Sequence, residues 1–451
     1  WFFGFGYFSF SLYWISISLT FDENFKFLLP FAIILIPSFL AIFYGLVLYF
    51  FSIFFSKKLI LAFLIFSVLF GTVEFIRGYI FTGFPWNLIA FSFSESENFI
   101  QIISVIGTYS FNLLCISFFT SPAILILKKQ KKEILVFFFF TFIFAIFIAF
   151  GIMQNKQFDL IKDNKHEYII RVVSPNISLN RFYLKDKELN IINEMILLSD
   201  PQKDKETIFL WPEGIISDTY LDNVKIYQKL FKKSFSKNHV VIFGINSLQV
   251  VDNKKKYFNS MAVFDNQLNL LNAYNKINLV PFGEFLPFES ILGKLGLKTI
   301  TNNYQSFSKG VDRESINIKL NNLNLSILPL ICYELIYSGE IFKDQEFDFI
   351  VNISEDGWFG NSIGPKQHFS HSIFRSIESG KYIIRSTNNG ISAIINPMGI
   401  VEQEVEFGLT GYVELSETKL VKSTLFMLHG NKIFLILILI YIFLIFSFNK
   451  L

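Results

Sequence analysis

Hydrophobic positions in this chain are first clustered, then alternating, then clustered again. No Asp, Glu, Lys or Arg occurs from Trp1 to Phe21, Leu28 to Ser56, Leu59 to Val73, Phe99 to Leu127, Ile134 to Asn155 or Ile433 to Phe448. A helix needs about 20 apolar residues to cross a bilayer core of ~30 Å, so these runs predict six membrane spans. The third has to continue through Glu74 and Arg77, which lie three apart on one helix face and read as an intrahelical ion pair or as a functional pair. Between residues 154 and 431 charges return, and short β-branched runs alternate with polar helical stretches. Strands are expected at 168–174, 207–211, 240–245, 260–265, 323–331, 347–353, 381–386 and 391–396. Helices are expected at 184–198, 221–235 and 365–379. Strands interleaved with helices indicate an α/β or layered α+β domain. The pattern thus divides the chain into membrane helices over 1–153, an outer domain over 154–431 and a last membrane helix over 432–451.

Charge sets the orientation. Lys57 and Lys58 separate spans two and three, the run Lys128-Lys129-Gln130-Lys131-Lys132 separates spans four and five, and Lys450 follows span six. With alternating spans these lysines share one side, which is the cytoplasmic one. The outer domain then faces away from the cytoplasm, and Trp1 begins on the cytoplasmic side. Because the first residue is Trp1 rather than Met, the chain reads as truncated at its N-terminus; spans missing upstream would be even in number when the native N-terminus is cytoplasmic.

Composition narrows the function classes. Hydrophobic residues make up 52 % of 451 positions, charged residues 17 %, and Phe alone 59. Mean hydropathy is +0.45. This excludes a disordered chain. A formal net charge of +3 leaves no electrostatic footprint for nucleic acid. The two cysteines, Cys115 inside span four and Cys332 in the outer domain, do not make a disulfide framework. His368 and His371 are three apart, but no further Cys or His lies close enough in sequence to complete a metal site. No Walker-type phosphate loop is present. No metal or other cofactor is therefore expected.

Cys332 has an informative setting. The apolar run Ile327-Leu328-Pro329-Leu330-Ile331 ends at Cys332-Tyr333-Glu334. A nucleophile at such a strand end is exposed while backbone N–H groups face a developing oxyanion. Taken alone, the same setting also suits a buried structural thiol. Two further segments change the balance. Leu210-Trp211-Pro212-Glu213 is a strand ending in a carboxylate, and Tyr274-Asn275-Lys276 runs on through Leu279-Val280-Pro281-Phe282-Gly283-Glu284. Each charge would singly read as a solvated surface group. Together, a strand-end Glu, a Lys and a Cys in this order form a constellation.

With Glu213 in Trp-Pro-Glu, Lys276 in Tyr-Asn-Lys and Cys332 in Ile-Cys-Tyr-Glu, the chain resembles the nitrilase, or carbon–nitrogen hydrolase, superfamily. Its flanking membrane spans narrow the resemblance to the apolipoprotein N-acyltransferase family. Supporting strings are Thr82-Gly83-Phe84-Pro85-Trp86, Asp356-Gly357-Trp358-Phe359-Gly360, Ser362-Ile363-Gly364-Pro365 and Arg385-Ser386-Thr387-Asn388-Asn389-Gly390. That family typically has eight spans, which would place two upstream of Trp1. There are departures. An aromatic early in the outer domain is often Trp in the family, whereas Phe182 and Tyr183 are the candidates here. Glu355 and Gly357 also differ from the common form.

The resemblance implies a multi-span α-helical membrane domain plus an α/β extracytoplasmic domain, a nitrilase-like αββα sandwich. It implies an acyltransferase of the bacterial inner membrane whose catalytic domain lies on the periplasmic side. The acyl donor would be a membrane phospholipid and the acceptor a diacylglyceryl apolipoprotein. The protein would act as a monomer, without nucleic acid. The acyl chain would pass through a thioester on Cys332. Glu213 would be the general base and acid. Lys276 would favour the thiolate and, with the backbone N–H after Cys332, hold the oxyanion. Glu284 would orient Lys276 or act as a second carboxylate, with Tyr333 and Glu334 in support. The stretch from Phe285 through Leu295, Leu297 and Tyr304 reads as a mobile loop dipping toward the bilayer or as an ordinary packed loop. Two other function classes remain open on the residues: a membrane-tethered nitrilase-type amidase that passes its acyl group to water, and a lipid-binding module with an inactive hydrolase domain.

Overall fold

The computed structural model describes residues 1–127, 130–183, 187–251, 253–295, 306–320, 323–342 and 345–450. Among these, six helical segments are long and apolar enough to cross a membrane. The first is α1 (Phe2–Leu12) continued by a 3-10 helix over Tyr13–Thr20. It is not the uniform α-helix that the apolar run predicts. The hydroxyls of Ser16, Ser18 and Thr20 each bond the carbonyl three residues back. Such local bonds compete with the α-helical ladder. The others are α2 (Leu29–Ile53), α3 (Leu59–Arg77), then, after the short α4 (Glu97–Ile100), α5 (Ile103–Leu127), α6 (Lys131–Asp159) and, at the far end of the chain, Lys432–Lys450. Large apolar side chains such as Leu48, Leu135, Phe138 and Phe443 are exposed on this bundle, as a lipid-facing surface requires. Glu74 and Arg77 are both buried and paired at 2.6 Å, the intrahelical pair read from their spacing. Arg77 also bonds the Phe84 carbonyl, which ties α3 to the following loop.

Two sheets form the outer domain. The first is ordered β13-β1-β2-β4-β5-β6, with β3 alongside β4. Its strands are β1 (Asn164–Ser174), β2 (Thr207–Leu210), β3 (Ile216–Tyr220), β4 (His239–Val251), β5 (Lys254–Asp265), β6 (Leu270–Asn275) and β13 (Gly411–Thr418). The second is ordered β12-β11-β10-β9-β8-β7. It holds β7 (Ile316–Leu320), β8 (Leu323–Ile331), β9 (Phe349–Glu355), β10 (Tyr382–Asn388), β11 (Ser392–Ile395) and β12 (Val401–Val405). Strands β1, β2 and β4 run parallel, as do β8, β9 and β10.

Side-chain alternation builds the layers. Val172, Leu210 and Ile242 of the first sheet meet Ile327, Val351 and Ile384 of the second in one core. Phe209, Trp211, Val241 and Phe243 point the other way, onto α7 (Glu188–Ser199) and α8 (Gln228–Ser234). Leu328, Leu330, Ile350 and Ile383 point away from the sandwich core, into a cluster shared with α10 (Gly364–Ser379) and with Phe8, Tyr44 and Phe70 of the membrane bundle. The architecture is an αββα sandwich whose second helical layer rests on the membrane domain. Two small helices complete it, α9 (Glu289–Leu292) and α11 (Leu425–His429), before the last span α12.

The stretch predicted as one helix over 221–235 is instead a 3-10 helix, Leu221–Tyr227, followed by α8. Leu221, Val224, Tyr227 and Leu230 are spaced by three and pack in one cluster. That period matches a 3-10 helix rather than an α-helix. The helix predicted over 184–198 is α7, and positions 184–186 lie outside the described residues. Strands β3, β6, β7, β12 and β13 have no counterpart among the predicted strands. They are short or carry solvent-facing charges, as in Val-Glu-Gln-Glu-Val of β12, so they lack the apolar run that marks a buried strand.

Candidate active site

Three chain reversals bring the candidates together. Glu213 follows β2, Lys276 follows β6 and Cys332 follows β8, all at the carboxyl edge of the sandwich. That edge is where α/β folds present functional groups. The register sets the spacing. Ser260 of β5 faces Asn275 of β6, and the Lys276 N–H donates to the Asn259 carbonyl at 2.9 Å.

The buried Lys276 ammonium lies 2.9 Å from Glu284 Oε1 and 3.4 Å from Glu213 Oε1. Asn259, a residue the sequence did not single out, bridges the same two carboxylates. Its Nδ2 donates to Glu213 Oε1 at 2.6 Å and to Glu284 Oε1 at 2.7 Å. The other oxygen of Glu213 accepts from the Glu355 N–H at 2.9 Å, and that of Glu284 from the Val280 N–H at 2.8 Å. Both carboxylates are thus oriented before any substrate enters. Gly244 of β4 makes room for Glu213. A Cβ there would stand 2.6 Å from the Glu213 Cα and 2.8 Å from the Gly214 nitrogen. Gly244→Ala is therefore expected to displace Glu213, to lower turnover by about tenfold or more and to cost about 1–3 kcal/mol of stability. Single-turnover rates and thermal unfolding of the variant check this.

Cys332 is partly exposed and takes φ +49°, a left-handed conformation rare for a side chain with Cβ. It opens a 3-10 turn, Cys332–Ile336, directly after the strand. Burial raises the Cys332 thiol well above its ordinary range, and the Glu213 charge adds to that. Lys276 pulls the other way but does not prevail. Burial opposes the charge on Lys276, but Glu213 and Glu284 outweigh it and hold the ammonium protonated. With two carboxylates for one ammonium, Glu284 is pushed up, by burial first and by Glu213 as well, against the pull of Lys276.

Glu334 and Tyr333 lock the nucleophile's turn from opposite sides. Glu334 is fully buried and accepts from Tyr274 Oη (2.6 Å), Arg313 Nη2 (2.7 Å) and the N–H groups of Ile277, Asn278 and Ile331. It thereby clamps the end of β8 to the segment carrying Lys276. Burial alone would raise its carboxyl, but Arg313 and these donors hold it lower than usual. Tyr333 donates to the Gly83 carbonyl at 2.9 Å and Tyr337 to the Thr82 carbonyl at 2.9 Å. The Thr82-Gly83-Phe84-Pro85-Trp86 string is thus the point where the membrane bundle touches the nucleophile's turn.

Aromatic residues line the approach. Of the two early aromatics, Phe182 stacks on Trp358 at 5.6 Å, whereas Tyr183 is exposed. The departing residue Glu355 is paired with buried Arg181, whose Nε donates to the Gly214 carbonyl beside Glu213. In the loop after Lys276, Leu286 is buried while Phe282 and Phe288 are exposed with left-handed backbones. Leu297 and Tyr304 lie outside the described residues. His368 and His371 do not form a metal pair. His368 Nδ1 lies 2.9 Å from Asp356 Oδ1, and His371 packs against Phe91 at 4.3 Å and Trp86 at 5.0 Å. Among the described residues, no group of three His, Cys, Asp or Glu is placed to hold a metal. Asn259, Arg181 and Arg313 escaped the sequence reading, and His368 entered it only as a possible metal ligand; each has its partner distant in the chain.

Residues 1–121 match the family model described as the apolipoprotein N-acyltransferase N-terminal domain, and residues 171–413 match the carbon–nitrogen hydrolase model. The chain is 32 % identical over 428 residues to an apolipoprotein N-acyltransferase of Rhizobium leguminosarum bv. trifolii, covering 92 % of this chain and 78 % of the relative. It is 32 % identical over 438 residues to that of Rickettsia prowazekii, covering 95 % and 85 %. Among solved structures, an amidase of the nitrilase superfamily from Nesterenkonia sp. AN1 aligns with 58 % of this chain and 93 % of its own. The identity is 11 % and the TM-score 0.39.

Proposed function

The chain belongs to the apolipoprotein N-acyltransferase family, and from that premise we propose that it moves an acyl chain from a membrane phospholipid to the N-terminal amine of a diacylglyceryl-cysteine lipoprotein, through a thioester on Cys332. The observation that carries this reading is the cluster itself. A general-base carboxylate, a buried ammonium and a thiol held in a left-handed turn converge where the outer domain meets the membrane bundle.

Glu213 takes the Cys332 proton, and the thiolate attacks the ester carbonyl of the phospholipid. The oxyanion forms against Lys276 and the Tyr333 N–H. As it collapses, the C–O bond breaks, and Glu213 returns the proton to the lyso-phospholipid alkoxide. In the second half-reaction the lipoprotein amine attacks the thioester, Glu213 accepts the amine proton, and Cys332 leaves as a thiolate that regains a proton. Glu284 and Asn259 hold Lys276 and Glu213 in register throughout. An oxyanion donor fixed in a water-poor site commonly contributes ~3 kcal/mol to such a step.

The substrates explain the setting. Both are anchored in a bilayer, so the thiol must open toward lipid while the thioester is kept from water. Residues 154–431 make up the catalytic domain, on the periplasmic side of the inner membrane, with membrane helices over 1–153 and 432–451. The exposed Phe282 and Phe288 are the described part of a loop that dips toward the acyl chains. A monomer suffices, since all the reacting groups come from one chain.

Intact mass of the full-length protein, incubated with phospholipid and then with a diacylglyceryl lipopeptide, tests this. The expected result is an acyl-sized gain that persists until the lipopeptide is added and then passes to its amine. A gain that decays equally fast without lipopeptide would overturn acyl transfer in favour of hydrolysis.

A further inference from the structure

His368 is buried beside the nucleophile yet touches neither the sulfur nor the two carboxylates. Its Nε2 lies 3.3 Å from the Cys332 carbonyl oxygen. A carbonyl only accepts, so this bond requires a proton on Nε2. The other ring nitrogen is 2.9 Å from Asp356 Oδ1 and 3.1 Å from Arg385 Nη2. Arg385 Nη2 donates to Asp356 Oδ2 at 2.7 Å, and Ser354 Oγ donates to Asp356 Oδ1 at 2.6 Å. Trp86 lies nearly parallel to the imidazole, with centroids 5.6 Å apart, and Phe359 meets it edge-on at 5.5 Å. The ring is thus held by Arg385 and by two aromatic rings; a neutral imidazole carries one N–H, and with that proton on Nε2, aimed at the nucleophile's own main chain, Nδ1 accepts from Arg385 Nη2, which also holds Asp356.

The Cys332–Tyr333 peptide is trans, so its C=O and N–H point in opposite directions. His368 belongs to α10, on the outer face of the second sheet, whereas Glu213 and Lys276 belong to the first sheet. A carbonyl drawn toward α10 turns the Tyr333 N–H the other way, into the site.

We propose that His368 is a positioning residue: its Nε2–H bond to the Cys332 carbonyl holds the left-handed turn and aims the Tyr333 N–H at the oxyanion. The Asp356–Arg385 pair holds the ring in place for that bond. This rests on Cys332 being the acyl carrier. His368 acts on the acceptor of the developing charge, not on the sulfur, and that distinction can be measured.

The full-length protein in detergent is given two electrophiles. One is a mixed micelle of phosphatidylethanolamine and phosphatidylglycerol, whose ester passes through an oxyanion. The other is iodoacetamide, which the thiol displaces at a saturated carbon with no oxyanion. For His368→Phe, the acylation rate is expected to fall about 100-fold, the range for a lost oxyanion donor, while Cys332 alkylation stays within about threefold of wild type. His368→Gln, whose amide reaches the Nε2 position, is expected to recover acylation to within about tenfold. If His368→Phe does not fold, His368→Asn, too short to reach the carbonyl, is held to the same split. Parallel loss of both reactions, or unchanged acylation, would overturn the inference while leaving Cys332 as the carrier. Absence of any adduct on wild-type Cys332 would overturn the acyl-carrier reading and the inference with it.

Discussion

Cys332→Ala is expected to remove the acyl adduct entirely and to lower lipopeptide acylation by about 10⁴-fold or more, the scale seen when a catalytic nucleophile is deleted. The structure limits the side effects. The side chain is partly exposed at the mouth of the site, so its truncation should leave the stability of the fold within about 1 kcal/mol. Cys332→Ser separates chemistry from shape. It keeps the geometry of the left-handed turn but replaces the thiol with a hydroxyl far harder to ionise, in a site that already raises the thiol through burial and the Glu213 charge. Acylation of the Ser variant is expected to be at least about 10³-fold slower. Any ester that forms should pass to the lipopeptide poorly, because an alkoxide leaves less readily than a thiolate. Intact mass at fixed times, with and without lipopeptide, reads both steps. Transfer at wild-type rate by Cys332→Ala would overturn the thioester route.

Glu334→Ala is expected to have the largest structural effect in the molecule. The carboxylate gathers five donors from three separate segments, among them the Arg313 guanidinium. Removing it strands a buried cation and several buried N–H groups. Breaking a buried ion pair from one side commonly costs 3–5 kcal/mol, which is a large share of the stability of an ordinary domain. The end of β8 would also lose its tie to the segment carrying Lys276, so activity should fall even in molecules that remain folded. Glu334→Gln keeps the shape and one acceptor and should lose less in both respects. Thermal unfolding in detergent and single-turnover acylation, measured on the same preparations, separate the two losses. Wild-type stability for Glu334→Ala would contradict the role assigned to this carboxylate.

The six apolar helices and the interleaving of strands with helices were legible in the sequence because both depend on local pattern, which follows from helix and strand geometry; the αββα sandwich was implied only by the family resemblance. Strands β1, β8 and β10 were marked by short runs rich in β-branched and apolar residues, and α10 by its amphipathic period. The edge strands β12 and β13 were not, because a strand buried on one face carries a weaker signal. The 3-10 segment at Tyr13–Thr20 lies in an apolar run that does not distinguish a period of 3.0 from one of 3.6, whereas Leu221–Tyr227 carried a spacing of three that the predicted helix over 221–235 did not separate out.

Glu213, Lys276 and Cys332 could be named from their strand-end motifs and the family resemblance those motifs carry. Motifs of that kind say which groups are present, not how each is held. Asn259 between Glu213 and Glu284, Arg313 on Glu334, Gly83 under Tyr333 and His368 on the Cys332 carbonyl are contacts between residues 21 to 250 positions apart. The protonation of the thiol belongs to the same class. It depends on burial and on the balance of Glu213 against Lys276, and both quantities exist only after the chain has closed. The sequence by itself determined the long apolar helices and the alternation of strands with helices, since short-range sterics and hydrophobic burial write these locally. Tertiary structure alone decided which carboxylate faces the ammonium, which carbonyl is pinned and where the membrane meets the nucleophile, because hydrogen bonds and Coulomb energies act through distance in space rather than along the chain.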